Sequence, residues 1–137
     1  MLNRKNSRCS RAQCITEATV GIVVIVSLVL FLLDVSVMVL AQSANDALAK
    51  HAARAAAEQP DSAKATQAVA NVIDNFATSS IIPQKPTAQV TYTAGSTVAV
   101  KTTIQVKLLV PVPFVPSLNV PNFVAQSREP IISSLAM

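Results

Sequence analysis

The sequence contains few of the residues from which catalytic and ligand-binding sites are usually built. Among its 137 residues there is no Trp, one His and two Cys, and only 13% are charged. With Gly21 and Gly95 as the only glycines, no Gly-rich phosphate-binding loop can form. The single histidine, His51, lies beside cations and has no spacing that favours catalysis or metal binding. The composition therefore predicts a protein that is not an enzyme and needs no cofactor.

Apolar residues, by contrast, are abundant and concentrated in one segment. About half of the chain is hydrophobic, and its mean hydropathy is +0.46. Between Ala18 and Ala41 the only charged residue is Asp34. At about 1.5 Å per residue, a helix over this segment is long enough to cross the roughly 30 Å hydrocarbon layer of a bilayer. We predict a basic leader (1–17), a transmembrane helix (18–41) and an extracytoplasmic domain (42–137).

The distribution of charge predicts the orientation of this helix. Four cations precede the apolar segment: Arg4, Lys5, Arg8 and Arg11. The first cation after it is Lys50, so the N-terminus is predicted to lie in the cytoplasm and the C-terminal domain outside. The seven Lys and Arg beyond Ala41 are scattered among five Asp and Glu. The net charge of +4 therefore does not indicate nucleic-acid binding, and the partner predicted by the apolar segment is the lipid bilayer.

Both cysteines lie on the predicted cytoplasmic side, where thiols are kept reduced. Cys9 and Cys14 have no further Cys or His at a metal-ligand spacing. The apolar segment follows Cys14, whereas in a lipoprotein the secretory signal precedes the modified cysteine. We therefore expect two free thiols.

Beyond the membrane the periodicity is first helical. Five apolar residues recur at helical spacing: Ala44, Ala47, Leu48, Ala52 and Ala55. Asn45, Asp46, Lys50 and Arg54 are expected to face away from them, in one long helix from about Thr16 to Glu58. After Pro60, a second helix is expected, capped by Asp61 or Ser62 and closed by residues 78–80. Its apolar stripe comprises Ala65, Val69, Val72, Ile73 and Phe76.

After Pro86 the period changes to two, which is typical of strands. The apolar residues of one parity are Val90, Tyr92, Val98, Val100, Ile104, Val106 and Leu108. They predict a hairpin that turns near residues 94–96, and a last strand is expected over residues 123–128. The Pro-rich segment Val110 to Pro116 is expected to form an extended interaction surface. The predicted fold class is α+β: an N-terminal transmembrane helix that extends into a long amphipathic helix, then a short helix and a small antiparallel hairpin or sheet.

The start of the apolar segment carries the most specific motif, Arg11-Ala12-Gln13-Cys14-Ile15-Thr16-Glu17-Ala18. A basic leader, a small residue and a Glu that opens an apolar helix resemble the type IV pilins and, more closely, the TadE-like minor pseudopilins of tight-adherence pilus assembly. Three further features resemble that family: Asp34 late in the apolar run, the stretch Ala52-Ala53-Arg54-Ala55, and a last strand that closes on Arg128-Glu129. The chain departs from the family at Ala12, which is usually Gly, and at Ala18, which is often Phe or Tyr.

The resemblance implies a role in assembly. A prepilin peptidase would cut between Ala12 and Gln13, which would remove the leader and place Glu17 fifth in the mature chain. Glu17 would then pair with the N-terminal amine of a neighbouring subunit. The implied protein is a minor pseudopilin-like subunit of a tight-adherence (Flp-type) pilus in the bacterial inner membrane. Its implied partners are other pilin subunits and the pilus-assembly platform.

The two acidic residues also have explanations that require no assembly role. A carboxylate such as Glu17 in the first turn of a helix is stabilised by the helix dipole, by about 0.3–1 kcal/mol. Sixteen residues, Ala18 to Leu33, separate the start of the apolar run from Asp34, which corresponds to about 24 Å of helix. It is therefore expected at the outer interface, in contact with head groups or water, or alternatively with a polar group of a partner helix.

Two other functions are compatible with the same sequence. A secretory signal cleaved near Ala41 would release a periplasmic protein that begins at Gln42, although the apolar segment exceeds the usual signal core of about 7 to 15 residues. A single-span scaffold subunit of another envelope machine would use the same helix and hairpin without entering a pilus.

Overall fold

The computed structural model describes residues 6–109 and 120–132, with side chains from residue 13 onward. It confirms the α+β prediction with two helices and three strands. The elements are α1 (Asn6–Ala57), α2 (Ser62–Asp74), β1 (Thr87–Thr93), β2 (Thr97–Gln105) and β3 (Asn122–Pro130). The Pro-rich segment Val110 to Pro116, which was expected to form an interaction surface, lies entirely outside the described residues, as do the leader cations Arg4 and Lys5.

Helix α1 is continuous over 52 residues, about 78 Å. It ends at Ala57, close to the predicted end, because Pro60 disfavours a helical conformation in the residue before it. Its start at Asn6 lies ten residues before the predicted start near Thr16. The basic leader has no proline or glycine to interrupt the helix, so hydrophobic periodicity was a poor guide to where α1 begins.

Helix α2 packs against α1 through Ala65 and Val69, both buried. Asp61 occupies the predicted N-cap position in an extended conformation, but its side chain makes no capping hydrogen bond. The helix ends at Asp74, before the predicted closure at residues 78–80.

The three strands form one antiparallel sheet in the order β1-β2-β3. The predicted hairpin is confirmed: Thr93 pairs with Thr97, and the turn between them contains Gly95 with φ +72°. Glycine is favoured there because an L side chain strains a left-handed backbone. The third strand joins the free edge of β2, where Thr102 pairs with Ala125.

The inner face of the sheet packs on the C-terminal half of α1 in two clusters. The cluster far from the apolar segment comprises Ala52, Ala53, Ala56, Ala57, Ala65, Val69, Val98 and Val100. The cluster close to it comprises Ala41, Ile82, Ile104 and Val106, with Val37, Phe76, Ile81 and Phe123 packed against them. Strand β2 therefore runs antiparallel to α1, and its end points back toward the apolar segment.

The predicted contact face of α1 was partly wrong. Leu48 and Ala52 are buried as predicted, but Ala47 is exposed and Asn45, expected to face away, is fully buried. The buried face of α1 follows Ala41, Asn45, Leu48, Ala49 and Ala52. Alanines occur on several sides of this helix, so the sequence pattern could not single out the side that the sheet covers.

Candidate functional site

A long apolar surface is exposed on α1 between Ile15 and Leu33. Its large side chains are exposed all round the helix, including Val23 at 60% and Phe31 at 64%. In the most apolar 18-residue window the mean hydropathy is 3.0, and only 6% of that window is buried. Within the described residues this is one helix long and apolar enough to cross a membrane. Monomeric soluble proteins rarely expose so large a continuous apolar surface.

The hydroxyl groups along this surface are bonded to the helix itself. Thr19 donates to the carbonyl oxygen of Ile15 at 2.9 Å, and Ser27 donates to that of Val23 at 2.8 Å. Ser36 makes the same bond to Leu32 at 2.8 Å. Hydroxyls satisfied in this way present little polarity to their surroundings, as a hydrocarbon environment requires.

The predicted processing and assembly residues Ala12, Gln13 and Glu17 all lie within α1. Glu17 is exposed and lies eleven residues after the helix begins, so no acidic residue occupies the first turn. The helix-dipole explanation for Glu17 is therefore wrong for the intact chain. None of the ion pairs among the described residues includes Glu17.

The second predicted assembly residue, Asp34, has surroundings that neither sequence interpretation anticipated. It is buried, with 8% of its surface exposed, and its Oδ1 accepts a hydrogen bond from the backbone N–H of Leu109 at 3.1 Å. The contact joins residues 75 positions apart, where the chain beyond β2 returns to the apolar segment. Asp34 thus marks the level at which the folded domain first touches α1.

A second polar contact lies inside the interface and was missed from the sequence. Thr102 Oγ1 donates to Asn45 Oδ1 at 2.8 Å, and Asn45 Nδ2 donates to the carbonyl oxygen of Phe123 at 3.1 Å. Asn45 and Thr102 are both fully buried. Because each misplaced polar group would be buried without a partner, these bonds fix α1 at one position along β2 and β3.

A third contact brings together the alanine-rich part of α1 and the end of β3. Arg54 Nε lies 3.8 Å from Glu129 Oε1, and nearby the backbone N–H of Ile132 donates to the carbonyl oxygen of Ala57 at 3.2 Å. The Ala/Arg-rich stretch of α1 and the Arg-Glu end of β3 therefore meet. The arginine is largely exposed, so this ion pair contributes little to stability.

The described residues form no group of three or more His, Cys, Asp or Glu that could hold a metal ion. His51 is exposed and lines a shallow depression on α1 together with Asp46, Lys50 and Arg54. Cys14 is exposed with a free thiol. The most distinctive arrangement in the described chain is thus a surface for packing, formed by the apolar helix and its junction with the sheet.

Comparison with protein-family models, curated proteins and solved structures finds no match to this chain. The resemblance to the TadE-like pseudopilins therefore rests on the motif around Glu17, on Asp34 and on the two segments joined by Arg54 and Glu129.

Proposed function

We propose that this chain is a minor pseudopilin-like subunit that acts in the assembly of a tight-adherence pilus by packing its helix in the bacterial inner membrane, and that it is not an enzyme. The observation that carries the proposal is the continuity of α1. The helix is exposed and apolar between Ile15 and Leu33, and it continues without a break into the core of the folded domain.

Continuity matters because assembly requires contacts in the membrane to position the domain outside it. The N-terminal half of α1 offers apolar side chains in every direction to neighbouring helices. The C-terminal half is held by the sheet through Ala52 and Ala56, both fully buried. A neighbour that packs against the first half therefore fixes the position and orientation of the second half.

The burial of Ala41 supports retention of the apolar segment over its removal as a secretory signal. Ala41 is 4% exposed and packs with Ile82, Ile104 and Val106 within the uninterrupted helix. Cleavage near Ala41 would also separate Asp34 from Leu109, its hydrogen-bond donor. A periplasmic product that begins at Gln42 would lose part of its own core.

Processing between Ala12 and Gln13 would give Glu17 the setting that it lacks in the intact chain. Gln13 would become the first residue, and Glu17 would then lie in the first turn of the shortened helix. There a carboxylate gains about 0.3–1 kcal/mol from the helix dipole and can reach the free amine of a neighbouring subunit. The N-terminus is on the cytoplasmic side in this proposal, as the cations of the leader favour.

The test is to replace Glu17 with Ala and to measure both surface pili and the amount of protein in the membrane fraction. We expect E17A to lose most piliation while its membrane level stays normal, because the substitution removes a subunit contact and leaves the apolar helix intact. The matched control is E58A, which removes an exposed carboxylate just beyond the other end of the same helix. Normal pili in cells that carry E17A would contradict the proposed assembly role.

A scaffold subunit of another envelope machine would share the span and the domain but would need no prepilin peptidase. The identity of the mature N-terminal residue distinguishes the two functions. Mass spectrometry of the membrane fraction should find Gln13 at the N-terminus if the chain is processed as a pseudopilin. An intact N-terminus would favour the scaffold function.

A further inference from the structure

We infer that the folded domain is seated in the membrane, with the end of its sheet immersed in the lipid leaflet on the domain side. The inference rests on the proposed membrane span. It concerns four exposed apolar side chains at and beyond the level of Asp34, which together we call the basal patch: Val35, Val39 and Leu40 on α1, and Leu109 on the chain beyond β2. The partner of this patch is the hydrocarbon of the bilayer.

The part of α1 before Asp34 is too short to cross the hydrocarbon layer alone. Between Glu17 and Asp34 lie sixteen residues, about 24 Å of helix, which is shorter than the roughly 30 Å hydrocarbon layer. Between Ala18 and Leu40 lie twenty-three residues counted inclusively, about 34 Å, which covers that layer. The hydrocarbon boundary on the domain side therefore falls beyond Asp34 and close to Leu40.

Beyond Asp34 the free side of α1 is still apolar and exposed. Val39 and Leu40 are 63% and 69% exposed, although the domain already covers Asp34 and Ala41 on the other side of α1. The helix is thus still lipophilic on its free side while the sheet packs on its opposite side. Leu109, four residues beyond the end of β2, is 63% exposed at the level of Asp34 and so shares the same surroundings.

The contact between Asp34 and Leu109 suits a site at membrane depth. A carboxylate at membrane depth requires a partner, and a backbone N–H beyond the end of a strand requires an acceptor where water is absent. The N–H of Leu109 donates to Oδ1 of Asp34 at 3.1 Å, so both groups have a hydrogen-bond partner. Lys107, two residues before Leu109, is exposed. Its long side chain can reach lipid phosphates while the Leu109 side chain stays in hydrocarbon.

The absence of tryptophan from the chain permits a direct test with single-Trp variants of the full-length protein. The variants L109W and V39W probe the basal patch. L28W probes the middle of the span, and A94W probes the exposed hairpin turn. Each is reconstituted into phosphatidylcholine and phosphatidylglycerol vesicles with and without bromine on the acyl chains, and the loss of Trp emission caused by bromine is compared.

We expect L109W, V39W and L28W to lose emission in the brominated vesicles and A94W to keep it. V39W changes only the free side of α1, so it reports on the basal patch even if L109W perturbs the end of the sheet. If L28W is quenched but neither L109W nor V39W is quenched, the immersion is overturned and the span stays intact. If L28W also kept its emission, the proposed span would fail as well. A blue-shifted but unquenched L109W would show that a second protein copy covers the patch, which would also overturn the inference.

Discussion

The two halves of α1 differ in side-chain size more than in helical character. Between Ile15 and Leu33 the helix carries mostly Val, Ile and Leu, and these side chains are exposed. Between Ala41 and Ala57 the buried positions are mostly alanine, and the large partners Val98, Val100 and Ile104 come from β2. One helix therefore meets two surroundings: large side chains face a medium that adapts to them, and small ones face a sheet that must fit closely.

Polar residues mark the boundary and the centre of the second half. Asp34 accepts a backbone hydrogen bond from the chain beyond β2, and Asn45 bonds to Thr102 in the middle of the interface. Apolar packing alone would tolerate small displacements of α1 along β2. The polar contacts remove that tolerance, because a displaced partner would be left buried and unbonded.

The largest expected effect comes from a charge in the first half. An arginine near the middle of a membrane span costs on the order of 2.5–3.5 kcal/mol on insertion scales. We therefore expect L28R to shift the protein out of the membrane fraction, measured by carbonate extraction and immunoblotting. The matched control is A47R, on an exposed position of the second half, which should stay in the membrane. Equal membrane levels for L28R and the unmodified chain would show that the first half is not in lipid.

The next effect tests the close fit of the second half. Ala53 is fully buried in the cluster that α1 forms with α2 and β2, so A53L should overpack this core and destabilise the domain by about 1–3 kcal/mol. The measurement is urea unfolding in detergent micelles, followed by the emission of Tyr92, the only tyrosine. A47L, on the exposed side of the same helix, should change stability by less than about 0.5 kcal/mol. If A53L and A47L unfolded at the same urea concentration, α1 would not pack as closely as described.

A comparable or smaller effect is expected at the buried amide. N45A leaves the Thr102 hydroxyl and the Phe123 carbonyl without their partner and should cost about 1–3 kcal/mol. Because Thr102 loses its partner in N45A, adding T102V should cause less further loss than T102V causes alone. A double-mutant cycle on the same urea assay measures this coupling. Strict additivity would show that the two residues do not share a bond.

Local signals in the sequence predicted most of the fold. The run of apolar residues predicted the exposed helix, Pro60 predicted the end of α1, and alternation predicted the strands. The hairpin turn at Gly95 was predicted correctly as well. Each of these features depends on neighbours within a few residues, so the sequence carries it directly.

Other features were decided only by the tertiary structure. The partner of Asp34 is 75 residues away, that of Asn45 is 57 residues away, and Arg54 meets Glu129 across the domain. An alanine-rich helix carries no marker of which side the sheet will cover, so Asn45 was assigned to the wrong face. The sequence by itself determined an apolar helix followed by a small α+β unit. The face of the helix that packs against the sheet, and its position along the sheet, were decided by tertiary packing. Only long-range contacts distinguish helix faces that have similar local sequences.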